Sequence, residues 1–283
     1  MTPLRRRMIN QMALRGFSLQ TRKAYLFQVS GVAQYYHRSP DQLTTDELQC
    51  YVLYLMQQRH WSFSSCRQFI HAIRFLFEQV LKRPLDRVAL PHPRKVQKLP
   101  DLLYPDEVKT LIAHCDNLKH QTGIVLAYAT GMRISEVLAL QVDDLDGAHD
   151  QIKVRQGKGC KDRYVLFTEG LKRQLRCYWR QYRPEQYVLY GMRKQFPLSA
   201  SSLRRALKAA AVCGGIQKRV RFHSLRHAYA THQLLAGMPL NRLQQQLGHR
   251  QIATTLRYTH WVASMSGARL VTEDLLNDWR IKR

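Results

Sequence analysis

A proline-rich segment near residue 90 divides this chain into two parts that are predicted to fold as separate domains. Four prolines interrupt any helix within "PLDRVALPHPRKVQKLP": Pro84, Pro91, Pro93 and Pro100. Each proline removes a backbone N–H donor and clashes with the preceding helical turn. A chain of 283 residues also exceeds the usual size of a single hydrophobic core. We therefore predict a first domain, a basic linker and a second domain, at residues 1–90, 91–100 and 101–283.

The first part has the polar starts and apolar spacing of helices. Ser18 precedes "LQTRKAYLFQVSGVAQYY", Thr44 and Glu47 form a capping box before "LQCYVLYLMQQ", and Ser64 precedes "SCRQFIHAIRFLFEQVLK". In the last stretch, apolar residues recur at helical spacing from Phe69 to Val80. These patterns predict a small all-helical bundle over residues 17–83.

The second part is predicted to be mainly helical with one small antiparallel sheet. Pro105 begins a helix, Gly131 interrupts a long apolar one, and Gly248 ends "NRLQQQL". The stretch "QIKVRQGKGCKDRYVLF" alternates apolar and polar residues on both sides of a Gly-Lys-Gly turn, which is typical of a hairpin. The predicted fold class of the whole chain is therefore mainly α, with a minor β component.

The chain carries far more positive than negative charge. Lys and Arg number 45 against 20 Asp and Glu, so the formal net charge is +25, and both parts are basic. A polyanion such as nucleic acid is the expected partner of such a chain. A uniformly charged surface with no partner is the alternative. Apolar residues make up 45% of the sequence, which excludes a disordered chain.

The cysteines and the apolar segments indicate in which cellular compartment the protein is expected. The six cysteines are scattered and no two have the C-x-x-C spacing, so we expect reduced thiols and neither disulfides nor a zinc site. No apolar run reaches the roughly 20 residues of a membrane helix. The start "MTPLRRRMINQ" lacks the apolar core of a secretory signal. The expected location is the cytoplasm, without membrane association.

The segment "HSLRHAYATH" suggests a metal site, because His223 and His227 lie one helical turn apart. The hydrolytic zinc motif requires a glutamate after the first histidine, where this chain has Ser224. Arg226 would also place a positive charge beside the cation. We interpret His227 and His232 as packing or polar-network residues.

The carboxylates of "VDDLDG" are the other candidate for a metal site. Asp143, Asp144 and Asp146 lack the longer alternation and the distal glutamate of a calcium loop. We interpret this stretch as a solvated turn between a helix and a strand. No metal and no cofactor are therefore predicted, and a basic protein that cuts nucleic acid here would need metal-free chemistry.

Metal-free attack on a phosphodiester requires arginine forks, an acid for the leaving oxygen and a nucleophile. The sequence contains such a set in order: Arg133, Lys158, His223, Arg226, His249 and Tyr258. Taken singly, each has an ordinary structural explanation. His249 and Tyr258 would lie roughly 13 Å apart on one continuous helix, so a bend near Gln251 is required to bring them together.

The segments that carry this set resemble a tyrosine recombinase of the phage integrase family, of the Xer or integron-integrase type. The resemblance is carried by "TGMRISEVLALQVDDLD", "GKGCKDR", "HSLRHAYATHQLLAGMPLNRLQQQLGH" and "TTLRYTH". More weakly, "GFSLQTRKAYLFQVSGVAQYY" resembles the opening of the core-binding domain. The resemblance implies an N-terminal SAM-like core-binding domain and a C-terminal catalytic domain. The few residues before that opening favour a simple Xer, integron-like or transposon-borne enzyme.

The resemblance also implies a role for each residue of the set. Arg133 and Arg226 would clamp the scissile phosphate, and Lys158 would protonate the leaving 5′ oxygen. Tyr258 would attack to give a 3′-phosphotyrosyl intermediate. His223 and His249 would hold the phosphate and assist proton transfer. Glu136 would orient Arg133. The reaction would need neither metal nor ATP.

The assembly expected from the resemblance is a clamp of two domains on double-stranded DNA. Four subunits would bring two recombination sites together as a homotetramer, and the family also allows for an accessory protein. The tail "VTEDLLNDWRIKR" would dock on a neighbouring subunit, or would pack on its own domain. Two other functions stay open at this point: a type IB topoisomerase-like enzyme that relaxes DNA, and a non-catalytic DNA-binding protein.

Overall fold

The computed structural model describes residues 1–85, 101–155, 162–259 and 262. The chain divides into two compact units, Met1–Lys98 and Leu99–Arg283. The predicted linker at 91–100, Lys158 and the C-terminal tail lie outside the described residues. The predicted domain limits stay predictions.

The first unit is the helical bundle that the sequence predicts. Its helices are α1 (Pro3–Leu14), α2 (Leu19–Tyr36), α3 (Thr45–Gln57) and α4 (Phe63–Arg74), which continues as a π-helix over Phe75–Leu81. Ser18 caps α2 by accepting a hydrogen bond from the Thr21 backbone N–H, and Thr44 and Glu47 form the predicted capping box of α3.

Two details of this unit differ from the prediction. The sequence did not indicate α1, because three consecutive arginines hide its apolar spacing, although Met8 and Met12 lie one turn apart and are buried. The N-cap of α4 is Ser62, whose hydroxyl accepts a hydrogen bond from the Ser65 backbone N–H at 3.2 Å. Ser64, the predicted cap, lies inside the first turn.

The second unit contains eight α-helices and one sheet among its described residues. The helices are α5 (Pro105–Ala113), α6 (Leu118–Thr130), α7 (Ile134–Ala139), α8 (Glu169–Tyr182), α9 (Ala200–Cys213), α10 (Phe222–Leu235), α11 (Leu240–Leu247) and α12 (Ile252–Leu256). The strands are β1 (Leu145–Asp146), β2 (Gln151–Val154) and β3 (Arg163–Leu166), antiparallel in the order β1-β2-β3. The predicted fold class, mainly helical with a small antiparallel sheet, is confirmed.

The sheet contains the predicted hairpin and one strand that was not predicted. In the hairpin, Ile152 pairs with Val165 and Lys153 with Tyr164. The additional strand β1 has only two residues and pairs Leu145 with Ile152. A strand this short carries no alternation of its own, so the sequence pattern does not reveal it.

The core of the second unit surrounds α6. Every residue of this helix from Thr122 to Thr130 is buried, and α6 packs against α8, α9 and α10. A helix that is apolar on all sides is typical of the centre of a domain. It ends at Gly131, whose φ of 65° is left-handed and whose missing Cβ would lie 2.4 Å from the Tyr229 ring. The chain therefore turns sharply at Gly131, and α7 begins three residues later.

The interpretation of "VDDLDG" as a solvated turn is wrong for Asp144. Its side chain is 2% exposed, and it accepts hydrogen bonds from the Gln141 backbone N–H at 2.9 Å and from the Arg155 guanidinium. A buried carboxylate is stable when charged donors satisfy it. Asp144 therefore faces inward, whereas Asp143 and Asp146 are exposed. No helix within the described ranges is long and apolar enough to cross a bilayer.

Candidate active site

Helix α10 places two histidines and an arginine on one face. His223, Arg226 and His227 stand at i, i+3 and i+4, which lie on one face of a helix. The helix begins at Phe222, where the Ser224 hydroxyl accepts a hydrogen bond from the Arg221 backbone N–H. The predicted common face of His223 and Arg226 is therefore present, and His227 shares it.

The guanidinium of Arg226 is buried and held by backbone carbonyls. Its side chain is 1% exposed, and its two terminal nitrogens donate to the Gly131 and Leu247 carbonyl oxygens at 2.8 and 2.6 Å. These carbonyls stand at the C-terminal ends of α6 and α11, where helix carbonyls lack partners and carry partial negative charge. Burial and the charge of Arg133 lower the pKa of Arg226 to about 10, so it is charged at neutral pH.

Glu136 joins Arg133 to a second arginine that the sequence did not identify. The carboxylate accepts from the Arg133 backbone N–H and guanidinium, each at 2.8 Å. It also accepts two hydrogen bonds from Arg163, at 2.8 and 3.0 Å, and Arg163 donates a third to the Gln246 carbonyl. Glu136 and Arg163 together therefore connect α7, β3 and α11. The expectation that Glu136 lies beside Arg133 agrees with this geometry.

The role of Arg163 could have been suspected from its position in the predicted hairpin. Alternate residues of a strand share a face, and Arg163 lies on the same face as the buried Val165. A charged residue at an inward-facing position requires a buried partner. The sequence does not say which of the chain's carboxylates supplies it.

We expect the free energy of unfolding to depend on pH through the Glu136 carboxylate. Burial raises its pKa, but the hydrogen bonds and charges of Arg163 and Arg133 outweigh burial and lower the pKa to about 2. Because the folded pKa is below the ordinary value of 4.5, Glu136 stabilises the fold above pH 4.5, and this contribution is lost as the pH falls towards 2. We expect a loss on the order of 3 kcal/mol in the free energy of unfolding.

Urea unfolding of the protein at a series of pH values measures this loss. The variant Glu136→Gln should flatten the curve between pH 5 and pH 2, whereas Glu169→Gln, which changes a largely exposed carboxylate, should leave it almost unchanged. Equal curves for the two variants would contradict the assignment.

The predicted bend brings His249 and Tyr258 together. Helix α11 ends at Gly248, whose φ is 62° and whose missing Cβ would lie 2.9 Å from the Arg163 side chain. The rings of His249 and Tyr258 are parallel, with an interplanar angle of 6° and centroids 6.2 Å apart. The His249 Nδ1 also lies 2.9 Å from the Thr255 hydroxyl, which fixes the imidazole.

Tyr258 is buried against α10. Its side chain is 3% exposed, and its hydroxyl lies 3.1 Å from Nδ1 of His227. The ring of His227 in turn contacts the ring of His223, with centroids 4.3 Å apart. Interpreting His227 as a packing or polar-network residue did not identify this contact with Tyr258. His232 is buried elsewhere on α10, with Nδ1 2.9 Å from the Tyr128 hydroxyl.

The surroundings keep the histidines neutral and the tyrosine protonated at rest. Desolvation, followed by the charges of nearby histidine and arginine side chains, lowers the pKa of His227 and of His249 to about 4. The pKa of His223 is lowered for the same reasons. Burial raises the pKa of Tyr258, while the charge of Arg226 acts in the opposite direction.

A basic cleft of about 650 Å³ opens beside these residues. No acidic side chain lines it among the described residues. Its charged and imidazole lining is Arg133, Arg204, Lys208, Arg219, Arg221, His223 and Arg226. Such a cleft favours an anionic ligand. Four of these cations, at positions 204, 208, 219 and 221, were not predicted, because nothing in the local pattern distinguishes them from solvated charges.

The structure therefore brings five of the six predicted residues to one region, and the sixth, Lys158, falls outside the described residues. Arg133 lines the same cleft as His223 and Arg226, and its charge lowers the pKa values of Arg226 and His249. Within the described ranges, no three His, Cys, Asp or Glu side chains are grouped so as to hold a metal ion.

Comparison with known proteins agrees with this arrangement. The sequence matches the phage integrase family over residues 101–264 and the phage integrase N-terminal SAM-like domain over residues 4–87. The y4qK protein of Sinorhizobium fredii, whose name describes an integrase/recombinase, is 40% identical over 259 residues, covering 91% of this chain and 84% of that protein.

Two further similarities cover both units. The tyrosine recombinase XerC of Lactobacillus delbrueckii subsp. bulgaricus is 30% identical over 268 residues, covering 87% of this chain and 90% of XerC. The structure of a lambda integrase dimer bound to a COC′ core site has a TM-score of 0.74 at 17% identity, covering 89% of this chain and 95% of that one. This last similarity shows a shared fold. The chain belongs to the phage integrase family of tyrosine recombinases, enzymes that cleave and rejoin DNA.

Proposed function

We propose that this protein is a site-specific recombinase that breaks and rejoins double-stranded DNA through a 3′-phosphotyrosyl intermediate on Tyr258. One observation carries the proposal. A buried tyrosine lies near a buried, charged arginine, whose charge acts to lower the pKa of the phenol, beside a cleft lined by further cations.

The arginines would stabilise the transition state. Attack on a phosphodiester increases the negative charge on the non-bridging oxygens, and charged donors in a site shielded from water stabilise it most. Arg226 has five N–H donors, of which backbone carbonyls occupy two, so it keeps donors for a phosphate. Arg133 would supply a second charge. Glu136 holds it in place without neutralising the cleft, because two arginines share that carboxylate.

The histidines and a lysine would complete the site. The pKa values near 4 leave His249 and His227 neutral at neutral pH, so each ring has one acceptor nitrogen and one N–H donor. His223 and His249 would hold the phosphate. Lys158, between β2 and β3, would protonate the leaving 5′ oxygen; this role rests on the family resemblance alone.

The intermediate explains why no energy source would be required. Attack by the Tyr258 oxygen forms one phosphodiester bond as another breaks, so the energy of the DNA backbone is kept in the phosphotyrosyl link. A 5′ hydroxyl then attacks the same phosphorus, which restores the DNA strand and releases the tyrosine. If the attacking hydroxyl comes from a second duplex, the strands are exchanged.

The proposed partner is duplex DNA carrying two recombination sites. Solved relatives include XerH bound to its difH substrate and the Tn1549 transposon integrase bound to transposon end DNA. Both parts of this chain carry excess positive charge, which favours contact with the phosphate backbone along a long stretch of DNA. A homotetramer in the synaptic complex follows from the family resemblance and stays a prediction, as does a cytoplasmic location.

The proposal predicts a covalent adduct that forms without metal. DNA segments that the purified protein retains from a fragmented genome would be sequenced, and a nicked duplex of the recovered site would then be incubated with the protein in EDTA. With a nick a few nucleotides from the cut, the short fragment that carries the new 5′ hydroxyl diffuses away. Rejoining is then prevented, so the adduct accumulates. We expect a denaturation-resistant complex whose DNA-linked peptide contains Tyr258.

Other outcomes of this experiment separate the alternatives. Loss of the adduct in EDTA would contradict metal-free chemistry. Efficient relaxation of a supercoiled plasmid that lacks the recovered site would indicate a topoisomerase-like enzyme. Retention of the site with no adduct at any stage would indicate a non-catalytic DNA-binding protein.

A further inference from the structure

Arg163 contacts both the carboxylate that holds Arg133 and the chain segment that leads into His249. Its Nη1 and Nη2 donate to the two Glu136 carboxylate oxygens at 3.0 and 2.8 Å, and its Nε donates to the Gln246 carbonyl at 2.9 Å. The side chain is 11% exposed and does not line the basic cleft. Arg163 therefore lies behind the cleft and can act on it only through the residues that it supports.

The first of these supports is the Glu136 carboxylate, each oxygen of which is shared by two donors. Oε1 accepts from the Arg133 guanidinium and from Nη1 of Arg163. Oε2 accepts from the Arg133 backbone N–H and from Nη2 of Arg163. The two arginines and one carboxylate together keep a positive charge, whereas Glu136 alone would cancel the charge of Arg133. Arg163 thus fixes the direction of the carboxylate and leaves Arg133 its charge for a phosphate.

The second support is the last turn of α11, directly before His249. The carbonyls of this turn have no partners within the helix. Arg163 binds the Gln246 carbonyl, and Arg226 binds the next carbonyl along the chain. The Arg163 side chain also crosses Gly248 so closely that an added Cβ there would lie 2.9 Å from its Cδ. The backbone that enters His249 is therefore held against the side chain of Arg163.

We propose that Arg163 is a positioning residue that holds Arg133 and His249 in one fixed geometry around the scissile phosphate. This inference rests on the function proposed above. Arg133 stands at the N-terminal end of α7 and His249 follows α11, so neither element by itself sets the distance between them. Arg163, at the start of β3, is hydrogen-bonded to the supports of both. Its loss should slow cleavage although it removes no contact with the DNA.

Two substitutions separate the charge of Arg163 from its shape. Arg163→Lys keeps the charge, but an ammonium has no planar fork with which to hold both carboxylate oxygens and a carbonyl at once. Arg163→Gln also removes the charge, so that Glu136 would then neutralise Arg133. The second variant should therefore be slower than the first.

The matched control is Arg155→Lys. Arg155 directly follows β2 in the same sheet, and its guanidinium also donates to a buried carboxylate, that of Asp144. Neither Arg155 nor Asp144 lines the cleft. This variant therefore shows what the loss of an arginine fork costs where no residue of the site depends on it.

Each protein would be tested on two nicked duplexes of the recovered site. One duplex has the natural scissile phosphate. In the other, a methyl group replaces one non-bridging oxygen and removes the negative charge of that phosphate. The neutral group requires less charge stabilisation in the transition state, so a defect that acts through the cleft arginine should become smaller on it. A general disturbance of the fold would slow both reactions alike.

The measurement is the single-turnover rate of adduct formation at saturating protein, with gel-shift titration and thermal unfolding of every variant. We expect Arg163→Gln to react about 100-fold more slowly than the wild type on the natural duplex, the effect of a shift of about 1 Å, and less than about tenfold more slowly on the methylated one. The DNA affinity should change by less than about twofold, because the many cations that contact phosphates remain. Arg155→Lys should match the wild-type rates on both duplexes.

A second measurement tests the part of the proposal that concerns His249. The substitutions Arg163→Lys and His249→Asn would be made singly and together. If Arg163 acts partly through His249, the combined reduction in rate should be smaller than the product of the two single reductions. Arg155→Lys combined with His249→Asn should give the product. A product in the Arg163 pair would contradict the joint geometry.

Several other results would overturn the inference. Equal defects of Arg163→Gln on the two duplexes would show a structural role, as would a lower melting temperature with an unchanged rate for bound DNA. Wild-type rates in both Arg163 variants would exclude any role in cleavage. If Arg163→Gln does not fold, Arg163→Lys, which keeps the buried charge, is judged by the same comparison of duplexes. Absence of any adduct with the wild-type protein would instead refute the proposed function itself.

Discussion

Replacing Tyr258 by phenylalanine is expected to reduce the covalent adduct below detection while the affinity for DNA changes by less than about twofold. The substitution removes one oxygen and keeps the ring that stacks on His249. No other atom of this side chain can attack phosphorus, so the effect on cleavage should be complete. Binding should persist, because salt-sensitive contacts with phosphates come from the many cations of the chain.

A matched control for this variant is Tyr190→Phe. Tyr190 also lies in the second unit, and its hydroxyl donates a hydrogen bond to the Tyr182 carbonyl at 2.9 Å. Its loss should therefore cost a similar amount of folding free energy, about 1 kcal/mol, and leave adduct formation intact. Gel-shift titration and denaturing electrophoresis of the same reactions give binding and cleavage side by side. An adduct that persists in Tyr258→Phe would assign the nucleophile to another residue.

Replacing Arg226 by lysine is expected to slow cleavage by about 100-fold to 1000-fold, the usual effect of removing one well-placed donor to a transition state. The positive charge remains in this variant, so the reduction in cleavage rate reports the number and arrangement of the hydrogen-bond donors. A lysine ammonium has three donors in place of five and no planar fork. The carbonyls of Gly131 and Leu247 would compete with the phosphate for those three.

The rate should be measured in single turnover with saturating protein, so that weaker binding does not contribute. The variant Arg180→Lys provides the control, because Arg180 is exposed in the last turn of α8. Thermal unfolding of both variants shows how much of the effect comes from the fold. We expect Arg226→Lys to have a lower melting temperature, because the buried Gly131 and Leu247 carbonyls would be less well satisfied. A wild-type cleavage rate in Arg226→Lys would remove Arg226 from the proposed site.

Local rules were enough to predict most of the elements. Ser18 and the pair of Thr44 and Glu47 begin helices because their side chains satisfy free backbone N–H groups, and Gly131 and Gly248 end helices because both adopt left-handed backbone angles. These effects depend on neighbours within one turn of helix, so a single sequence is sufficient to see them. The bend before Tyr258 could likewise be predicted, because nine residues of continuous helix would hold His249 and Tyr258 too far apart to share one site.

Contacts between distant segments could not be predicted in this way. Arg163 pairs with Glu136, 27 positions away, and the Tyr258 hydroxyl contacts His227, 31 positions away. Nothing in the local sequence of either residue distinguishes its partner from other carboxylates or histidines. The set from Arg133 to Tyr258 was visible because a family resemblance joined residues that are distant in sequence. The resemblance included Arg163, as the last residue of "GKGCKDR", but gave it no role, and it did not include the hydroxyl contact of His227.

The two carbonyls that hold Arg226 also lower the entropy cost of binding the scissile phosphate. A free arginine side chain gives up about 2 kcal/mol of rotamer entropy when it becomes fixed on a ligand. Arg226 gives up this entropy during folding, when the ends of α6 and α11 fix its guanidinium. Its donors are thus preorganised before DNA arrives, and the ordering cost falls on the stability of the empty protein instead of on the affinity for the scissile phosphate.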